Sequence, residues 1–577
     1  MTTRGHSMAS DLDPLFNPRS VAVVGATNDW RKWGFSTFTS LLDGFEGRVY
    51  PVNNREPTVF GYQAFPRVSD IPGPEPVDFV IVVVPAESVP GVMRDCAARG
   101  VKAGVIISAG FAETGTQGKR LQDEVLGIAR EAGIRFIGPN CMGFWSASAN
   151  LRAFMFPLSV KPGPFALVSQ GGNVGGTLVS SAFVRGMGFR AYVSCGCTAD
   201  VQIEDYIEYF GRDPEVKVIM AYIEGLNDGA RFIEKAGRVS LEKPIIALKP
   251  GRTQAAARAI TSHSGSLSGS SRLYDSAFRK AGVLRVDTPE DMLDVATGFV
   301  SQPCPRGRNV AIITPGGSYG VLSADACATR NLNVVPLSDE TIAEFDRIFP
   351  PRWSRGNPVD PAGDRNFIAY MKAPELLLKL PEVHALIFMG FNSFTGIATR
   401  IGSVDSRAGD AFQTTLKGFF DLIPDRETLS RPETDTGWME KLIARIVQIF
   451  FSLFGTSSGD DVTVFSDKLV ALLRSERTGP DLKAAFLEMA SGYRGGQAAE
   501  PGNPFGPVFR QLMESLLQSW IETYGKPVLT TSFMGSTAEQ LGFHTFTSAD
   551  QAAEVISKMN EYREHLEKQA GKSVAEV

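Results

Sequence analysis

The stretch Val-Asp-Phe-Val-Ile-Val-Val-Val-Pro at residues 77–85 decides the fold of the first part of the chain. It is apolar along nearly its whole length, which is typical of a parallel strand covered on both faces. Similar stretches occur before it at residues 20–25 and 47–53, and after it at residues 101–108 and 134–137. Helical sequences alternate with these stretches. The alternation predicts an α/β fold with a doubly wound parallel sheet.

The glycine that ends the first strand, Gly25, predicts a ligand at the carboxyl edge of this sheet, where doubly wound folds bind nucleotide-like molecules. NAD is the obvious candidate, but the turn lacks the G-x-G-x-x-G pattern. The acidic residue that should contact the ribose is also missing, since Asn53, Asn54 and Arg55 follow the second strand. Arg55 suits a phosphate better than a ribose hydroxyl. An NAD(P) dehydrogenase is therefore the weaker interpretation.

A second alternating pattern begins near residue 164. A strand at residues 165–169 leads into Gln-Gly-Gly-Asn-Val-Gly-Gly at residues 170–176, which opens a helix. Backbone amides at such a helix start bind anions. Further strands are predicted at residues 216–223, which end at Glu224, and at residues 243–248.

The segment Ala-Arg-Ala-Ile-Thr-Ser-His-Ser-Gly-Ser-Leu-Ser-Gly at residues 257–269 follows the last of these strands and sets His263 among small, hydroxyl-bearing residues. An imidazole that is neutral near pH 7 can act as a nucleophile or a base. Because loops after parallel strands share one edge of the sheet, we expect His263, Glu224 and the glycine-rich helix start to converge. A polar turn that happens to hold a histidine is the alternative that this segment leaves open.

A third unit begins near Arg306, and its apolar stretches predict strands at residues 309–314, 383–388 and 527–533. Between the last two, at about residues 392–523, the pattern breaks into a large, mainly helical insertion whose final predicted helix covers residues 508–524. The apolar stretch at residues 442–451 favours a helix in a core or subunit interface over contact with a membrane. We therefore expect the insertion to support association into an oligomer.

The composition, net charge and cysteine spacing indicate which class of protein this chain is. The 577 residues are 43% hydrophobic and 21% charged, which indicates a globular protein of several domains. The net charge of −5 gives no sign of nucleic-acid binding. The six cysteines lack zinc-type spacing, so we expect reduced thiols, a cytoplasmic location and no metal site. The sequence begins without an apolar signal-peptide core and has no run of about 18 apolar residues, so no membrane span is expected.

Several motifs, taken in order, carry a resemblance to a known family. They are VAVVGATND, VYPVNNR, IVVVPAE, IISAGFAETG, RFIGPNCMGF, ALVSQGGNVGG, ADVQIEDYIEYF, IMAYIEG, KPIIALKPGRT, SHSGSLSGS, ITPGGSYGVLSADA, NPVD and KPVLTTSFMG. Each is ordinary alone, but in this order they resemble the NDP-forming acyl-CoA synthetase superfamily. The resemblance is strongest to the α subunits of ADP-forming acetyl-CoA synthetases and more distant to succinyl-CoA synthetase α. It covers roughly residues 11–390 and 525–566.

The resemblance implies three domains. A Rossmann-like domain that binds coenzyme A (CoA) would cover residues 1–150, and a ligase domain with a phosphohistidine would cover residues 151–303. A third, flavodoxin-like domain would cover residues 304–577 and would carry the insertion. Both later domains would be of the flavodoxin-like, succinyl-CoA synthetase-like type.

The resemblance also implies roles for individual residues. His263 falls on the phosphorylated histidine, and Glu224 falls on the carboxylate that orients it. The expected phosphate-binding residues are Gln170, Gly171, Gly172 and Asn173. The expected CoA-binding residues are Gly25, Ala26, Thr27, Asn28, Asp29, Trp30, Asn53, Arg55, Pro85, Ser108, Ala109, Gly110 and Asn140.

The implied reaction interconverts acyl-CoA, ADP and phosphate with a carboxylic acid, CoA and ATP. No ATP-grasp segment is recognised in the sequence, so ATP or ADP, with Mg²⁺, would come through an ATP-grasp β subunit. The chain departs from the family pattern at Gly171, where serine is usual, at Cys197 and Thr198, and at Asn54. These departures keep a second hypothesis open, in which the chain is a non-catalytic regulatory or scaffold protein that binds CoA or acyl-CoA.

Overall fold

The structure, a computed structural model, describes residues 11–253, 255–256, 271–364, 367–390, 516–531 and 545–575. The strands in these ranges are β1 (Ser20–Val24), β2 (Arg48–Val52), β3 (Thr58–Val59), β4 (Tyr62–Gln63), β5 (Phe79–Val82), β6 (Ala103–Ile106), β7 (Arg135–Ile137), β8 (Gly143–Ser146), β9 (Leu151–Phe154), β10 (Pro162–Ser169), β11 (Phe189–Ser194), β12 (Val218–Tyr222), β13 (Ile245–Leu248), β14 (Leu284–Val286), β15 (Asn309–Ile313), β16 (Asn333–Val334), β17 (Ala385–Met389) and β18 (Val528–Thr531).

The α-helices in the same ranges are α1 (Asp13–Phe16), α2 (Trp33–Leu42), α3 (Val89–Ala98), α4 (Thr116–Ala132), α5 (Gly172–Val184), α6 (Ile203–Arg212), α7 (Gly229–Val239), α8 (Ser271–Ala281), α9 (Pro289–Ser301), α10 (Gly317–Thr329), α11 (Asp339–Asp346), α12 (Phe367–Leu378) and α13 (Ala549–Ala575). Residues 516–524 are also helical. None of the helices in the described part of the chain combines the length and the apolar content needed to span a bilayer.

The first sheet is parallel throughout and has the strand order β2-β1-β5-β6-β7. All four residues of β5 are buried, because helices cover both faces of the sheet. The predicted doubly wound sheet is therefore confirmed, with each strand at or within the stretch predicted for it.

The second sheet has the order β14-β13-β12-β10-β11-β8-β9. Strands β10 to β14 are parallel; β10, β12 and β13 lie in stretches predicted as strands, whereas β11 and β14 were not predicted, and β8 and β9 form an antiparallel hairpin at one edge. The sequence analysis missed this hairpin because every residue of β8 is buried, so the alternation that marks a hairpin strand is absent.

The third sheet is parallel and has the order β16-β15-β17-β18. Its core includes Leu517 and Trp520 from the helical residues 516–524, and the Trp520 ring lies 6.0 Å from that of Phe388. Residues of the last helix predicted for the insertion thus contribute apolar side chains to this core, and the bounds of the insertion stay a prediction. The rest of the expected insertion lies outside the described residues.

The chain divides into two compact units, residues 1–300 with 564–577, and residues 301–563. The first and second sheets both belong to the first unit, and the third sheet belongs to the second. All of the expected site residues fall in the first unit.

Candidate active site

Three neighbouring strands of the second sheet end at one edge and position the candidate catalytic loops. Strands β10, β12 and β13 are adjacent and parallel. Gln170 follows β10, Glu224 lies just beyond β12, and Lys249 follows β13 directly. Since carboxyl ends of parallel strands share an edge, the sheet brings these loops together as the sequence predicts.

Gln170 locks the loop after β10 to the loop after β12. Its side-chain oxygen accepts from the backbone amides of Glu224 at 2.5 Å and Gly225 at 2.9 Å. Its side-chain nitrogen donates to the Gly225 carbonyl at 2.9 Å. Through these three bonds Gln170 orients the backbone of Glu224, and its role in binding phosphate stays a prediction.

Glu224 is only 8% exposed and shares its surroundings with Tyr222. Burial, together with the nearby Glu224 carboxylate, raises the pKa of Tyr222 to about 12. Both side chains line the same cleft. Tyr222 is therefore a neighbour of Glu224 that the sequence analysis missed.

The start of α5 consists of Gly171 and Gly172, which present no side chains to Glu224 and Tyr222. Gly171 is the N-cap residue and no side chain caps the helix, so the first-turn amides remain available to a ligand. A Cβ atom at Gly171 would lie 2.7 Å from the Tyr222 ring and 3.3 Å from a Glu224 carboxylate oxygen. A Cβ atom at Gly172 would lie 2.3 Å from the Met142 sulfur. The glycine pair thus lets two large side chains approach the helix start closely.

Lys249 is a buried cation at the same edge of the sheet. It is 4% exposed, its ammonium donates to the Pro250 carbonyl at 2.7 Å, and it lies 4.6 Å from the ring centroid of Tyr274. The Tyr274 hydroxyl in turn accepts from the Leu226 amide at 3.2 Å. Burial lowers the pKa of Lys249 to about 8; the charge of Arg285 lowers it further, and that of Glu224 opposes the shift. The sequence analysis assigned this lysine no role.

The shifted pKa makes Lys249 a cost to stability at neutral pH. In the unfolded chain a lysine titrates near pH 10.4, so the penalty for burying its charge is complete below about pH 8 and disappears as the pH rises towards about 10.4. Lys249→Met is expected to stabilise the protein by about 2 kcal/mol at pH 7 and by much less at pH 10. Denaturant unfolding at both pH values measures this. The exposed Lys217→Met is the matched control, and an equal gain from Lys249→Met at both pH values would contradict the account.

The glycine turn of the first sheet is held by a carboxylate. Gly25 has φ of +96°, and a Cβ atom there would lie 2.2 Å from the Val83 carbonyl oxygen, so only glycine fits. The Glu56 carboxylate accepts from the Thr27 hydroxyl and from the amide of Asn28 at 2.9 Å. The sequence analysis found no acidic residue at positions 53–55 that could contact a ribose. Glu56, one position after Arg55, is acidic, but its carboxylate binds the turn itself.

Asn53 supports the same turn. Its side-chain nitrogen donates to the Ala26 carbonyl at 2.8 Å, and its oxygen accepts from the amides of Arg55 at 2.8 Å and Glu56 at 3.0 Å. Arg55 itself is exposed. Asn53 therefore fixes the shape of the loops, and its side chain is already occupied by the protein.

The loops after β5, β6 and β7 meet at the carboxyl edge of the first sheet. The Ser108 hydroxyl donates to the Val84 carbonyl at 2.5 Å, and the Ser108 carbonyl accepts from the Asn140 amide at 2.9 Å. The Gly110 amide donates to the Glu113 carboxylate at 2.6 Å. These bonds place Pro85 and Asn140 beside the same opening.

One cleft of about 1860 Å³ joins the edges of the first two sheets. Its lining includes some of the expected CoA residues, namely Gly25, Pro85, Ser108, Ala109 and Asn140. It also includes Gln170, Gly171, Gly172, Asn173 and Glu224. The expected residues outside the lining are Ala26, Thr27, Asn28, Asp29, Trp30, Asn53, Arg55 and Gly110.

Three cations line this cleft that the sequence analysis did not single out. They are Arg31, Lys32 and Lys119. Arg31 forms three hydrogen bonds to the Asp29 carboxylate, two from its guanidinium and one from its backbone amide, and these lower the pKa of that carboxyl to about 2. Lys119 pairs with Asp123, whereas the Lys32 ammonium is 3.8 Å from Asp29. Lys32 is thus the least neutralised of the three.

The unusual residues of the chain also face the cleft. Cys197 and Thr198, which replace the expected family residues, belong to its lining. Burial raises the pKa of the Cys197 thiol to about 12, and the nearby Glu113 carboxylate adds to the shift. The thiol is therefore protonated at neutral pH.

His263 lies outside the described residues. Within those residues no group of His, Cys, Asp and Glu side chains is arranged to hold a metal ion.

Family models match the chain in the same order as its sheets. A CoA binding domain matches residues 19–146, a succinyl-CoA ligase like flavodoxin domain matches residues 162–299, and a Ligase-CoA domain matches residues 310–409. The α subunit of acetate–CoA ligase (ADP-forming) II from Pyrococcus furiosus is 43% identical over 376 residues, which are 65% of this chain and 81% of that protein. The chain belongs to the ADP-forming acyl-CoA synthetase α-subunit family.

Another member of this family, the α subunit of acetate–CoA ligase (ADP-forming) I from Pyrococcus furiosus, is 40% identical over 380 residues, or 65% of this chain and 82% of that protein. Both are named as α subunits, which implies a partner subunit for each of them. The acetyl-coenzyme A synthetase 1 of Ca. Korarchaeum cryptofilum, solved with phosphate and ADP, has a TM-score of 0.69 and 28% identity, and covers 97% of this chain and 98% of its own. As a member of the ADP-forming acyl-CoA synthetase family, the chain is an acid–thiol ligase.

Proposed function

We propose that this chain is the CoA-binding subunit of an ADP-forming acyl-CoA synthetase and carries its phosphohistidine on His263. The observation that supports the proposal best is the cleft that Gly25, Glu224 and the Gly171–Gly172 helix start share. The proposed domains are residues 1–150, 151–303 and 304–577; the β8–β9 hairpin spans the first of these boundaries, because both of its strands pair in the second sheet.

The groups that line the cleft suit the chemical groups of CoA. Three cations suit a ligand with several phosphates, and the glycine turn brings bare backbone to the surface. CoA supplies the thiol that joins the acyl group in a thioester. Gly25, Pro85, Ser108, Ala109 and Asn140 are the residues of this chain that would hold it.

The bare helix start of α5 holds the phosphate in the proposed reaction. Amides of the Gly171–Gly172 turn donate to phosphate oxygens and stabilise negative charge as phosphate attacks the thioester carbonyl and the thiolate leaves. The product of that attack is an acyl phosphate. The cleft acts chiefly by positioning and by stabilising charge.

His263 accepts the phosphoryl group from the acyl phosphate, which releases the carboxylic acid. Glu224, whose backbone amide is held by Gln170, accepts a hydrogen bond from the imidazole, fixes its tautomer and balances its positive charge. His263 then passes the phosphoryl group to ADP, which an ATP-grasp β subunit holds with Mg²⁺.

The test of this function uses both subunits. Purified with an ATP-grasp β subunit, the chain should form ATP from acyl-CoA, ADP and phosphate, and neither subunit should do so alone. ATP formation by this chain alone would contradict the need for a partner. CoA binding without ATP formation by the pair would favour a non-catalytic regulatory or scaffold protein, to which the loss of the family's serine at Gly171 also points.

Lys32 is expected to contact a phosphate of CoA, because it lines the cleft and is incompletely neutralised. Lys32→Glu should raise the dissociation constant for CoA about 10- to 100-fold, as the loss of a charge-assisted contact predicts. Arg55→Glu, outside the cleft lining, should have a smaller effect. Calorimetry measures the dissociation constant for CoA of both variants. A larger effect of Arg55→Glu than of Lys32→Glu would instead support the contact between Arg55 and CoA that the resemblance implies.

A further inference from the structure

One arginine of the second sheet contacts the chain on both sides of the segment that carries His263, and the reaction described above gives it no role. Arg285 lies in β14, the strand that pairs with the end of β13. Its side chain is only 8% exposed. The segment, residues 250–270, begins after Lys249, the residue that follows β13, and ends before Ser271, the first residue of α8.

The guanidinium of Arg285 joins the two sides of this segment. One of its nitrogens donates to the Lys249 carbonyl at 3.0 Å. A second nitrogen donates to the Ser271 hydroxyl at 3.0 Å and to the Asp275 carboxylate, both of which belong to α8. A guanidinium has donors in a fixed fork, so it can reach both sides at once. We call these three contacts the Arg285 anchor.

The same helix is joined to the loop that carries Glu224. The Tyr274 hydroxyl accepts from the Leu226 amide at 3.2 Å, and Leu226 lies two positions after Glu224. Tyr274 is buried in the core of the first unit. The Arg285 anchor and this bond therefore relate both sides of the histidine segment to the loop of the carboxylate expected to contact the histidine.

The Arg285 anchor is not arranged for stability alone. The Nε atom of Arg285 is buried and has no hydrogen-bond partner in the part of the chain that the structure describes. The guanidinium also lies close enough to the Lys249 ammonium for its charge to lower the pKa of that lysine. An unpaired buried donor and two neighbouring like charges both cost free energy. Such costs are typical of functional sites.

We propose that Arg285 is a positioning residue for His263. By holding the residues on either side of the segment, the Arg285 anchor lowers the entropy that is lost when His263 is brought beside Glu224 for phosphoryl transfer. This proposal rests on the proposed function, since it takes His263 as the residue that is phosphorylated. The competing explanation is that Arg285 only joins β14 to α8.

The experiment measures labelling of the chain from ATP by rapid quench, with the ATP-grasp partner present and at a temperature where every variant is fully folded. Arg285→Met removes all three contacts and should lower the maximal rate of labelling about 10- to 100-fold. The ATP concentration that gives half of that rate should stay within about 2-fold, because the partner binds ATP. The dissociation constant for CoA should also stay within about 2-fold.

The matched control is Arg185→Met, which breaks another partly buried ion pair of the same sheet. The Arg185 guanidinium lies 2.8 Å from the Asp294 carboxylate, at the end of α5 remote from Gly171, and outside the cleft lining. This variant should label at the wild-type rate. Arg285→Lys keeps the charge but loses the fork, so its labelling should be slower than that of the wild type by about 3- to 10-fold.

Three results would overturn the proposal. Labelling of Arg285→Met at the wild-type rate, or an equal slowing by Arg185→Met, would leave Arg285 a purely structural role. A raised half-saturating ATP concentration with an unchanged maximal rate would place the effect on nucleotide binding. If Arg285→Met does not fold, a wild-type rate in Arg285→Lys would be the contradicting result. Failure of the proposed function itself would instead appear as no labelling of the wild type.

Discussion

His263→Asn is expected to abolish phosphate transfer from labelled ATP to this chain in the presence of an ATP-grasp partner. Asparagine has about the size of the imidazole but lacks the nucleophilic ring nitrogen, so no phosphoramidate can form. The residues that line the cleft are untouched, and the dissociation constant for CoA should stay within about 2-fold of that of the wild type.

The matched control for this prediction is His384→Asn. His384 lies in the second unit, where its ring nitrogen accepts from the Asn309 amide at 3.3 Å, so its loss should leave the labelling unchanged. Labelling of His263→Asn at the wild-type rate would show that another residue carries the phosphate. No labelling of the wild type would favour the regulatory interpretation.

Glu224→Gln is expected to slow the phosphorylation of His263 by about 100- to 1000-fold without abolishing it. The amide is nearly isosteric, and the backbone bonds from Glu224 and Gly225 to Gln170 remain. What is lost is the negative charge that balances the imidazolium as it forms. Rapid-quench labelling measures the rate.

Two further measurements separate a lost charge from a disturbed fold. Calorimetry should give an unchanged CoA affinity for Glu224→Gln, because the glycine turn of the first sheet is intact. The exposed Glu215→Gln removes a carboxylate away from the cleft and should label at the wild-type rate. If Glu224→Gln also labels at that rate, Glu224 does not act on the histidine.

The sequence predicts the parallel sheets well because their strands are short, buried runs bounded by glycine and polar residues. The strand found at β5 lies within the stretch that opened the sequence analysis, and the helix after Gly171 begins within the glycine-rich segment at residues 170–176. The antiparallel hairpin of β8 and β9 was not predicted because burial on both faces removes the alternation that would mark it.

The residues that support the candidate site were harder to predict, because their roles depend on burial and on contacts that form only in the fold. Glu56 binds a turn that begins at Gly25, and Tyr222 and Glu224, two positions apart, line the same cleft. Lys249 appears in a motif that the sequence analysis quoted, but only its burial and its place beside Tyr274 distinguish it from a surface lysine. The spacing of motifs in the sequence predicts none of these contacts.

The CoA turn shows which residues motif transfer leaves out. The resemblance assigns Arg55 to CoA from its position after the second strand; Arg55 is exposed, and Arg31, Lys32 and Lys119 line the cleft. Asn53 and Glu56 are engaged in hydrogen bonds that shape the turn. Contact of Arg55 with CoA stays a prediction, which the comparison of Lys32→Glu with Arg55→Glu tests.

The most direct test of the account is to map the phosphate on the wild-type chain after incubation with ATP, Mg²⁺ and an ATP-grasp partner. Peptides prepared at alkaline pH and examined by mass spectrometry should carry the phosphate on His263, and the modification should be lost in acid and kept in base, as a phosphoramidate is. Brief acid treatment should therefore erase the signal. Phosphate on a serine of residues 262–268, stable to acid, or no phosphate on this chain while the partner turns over ATP, would contradict the phosphohistidine assignment.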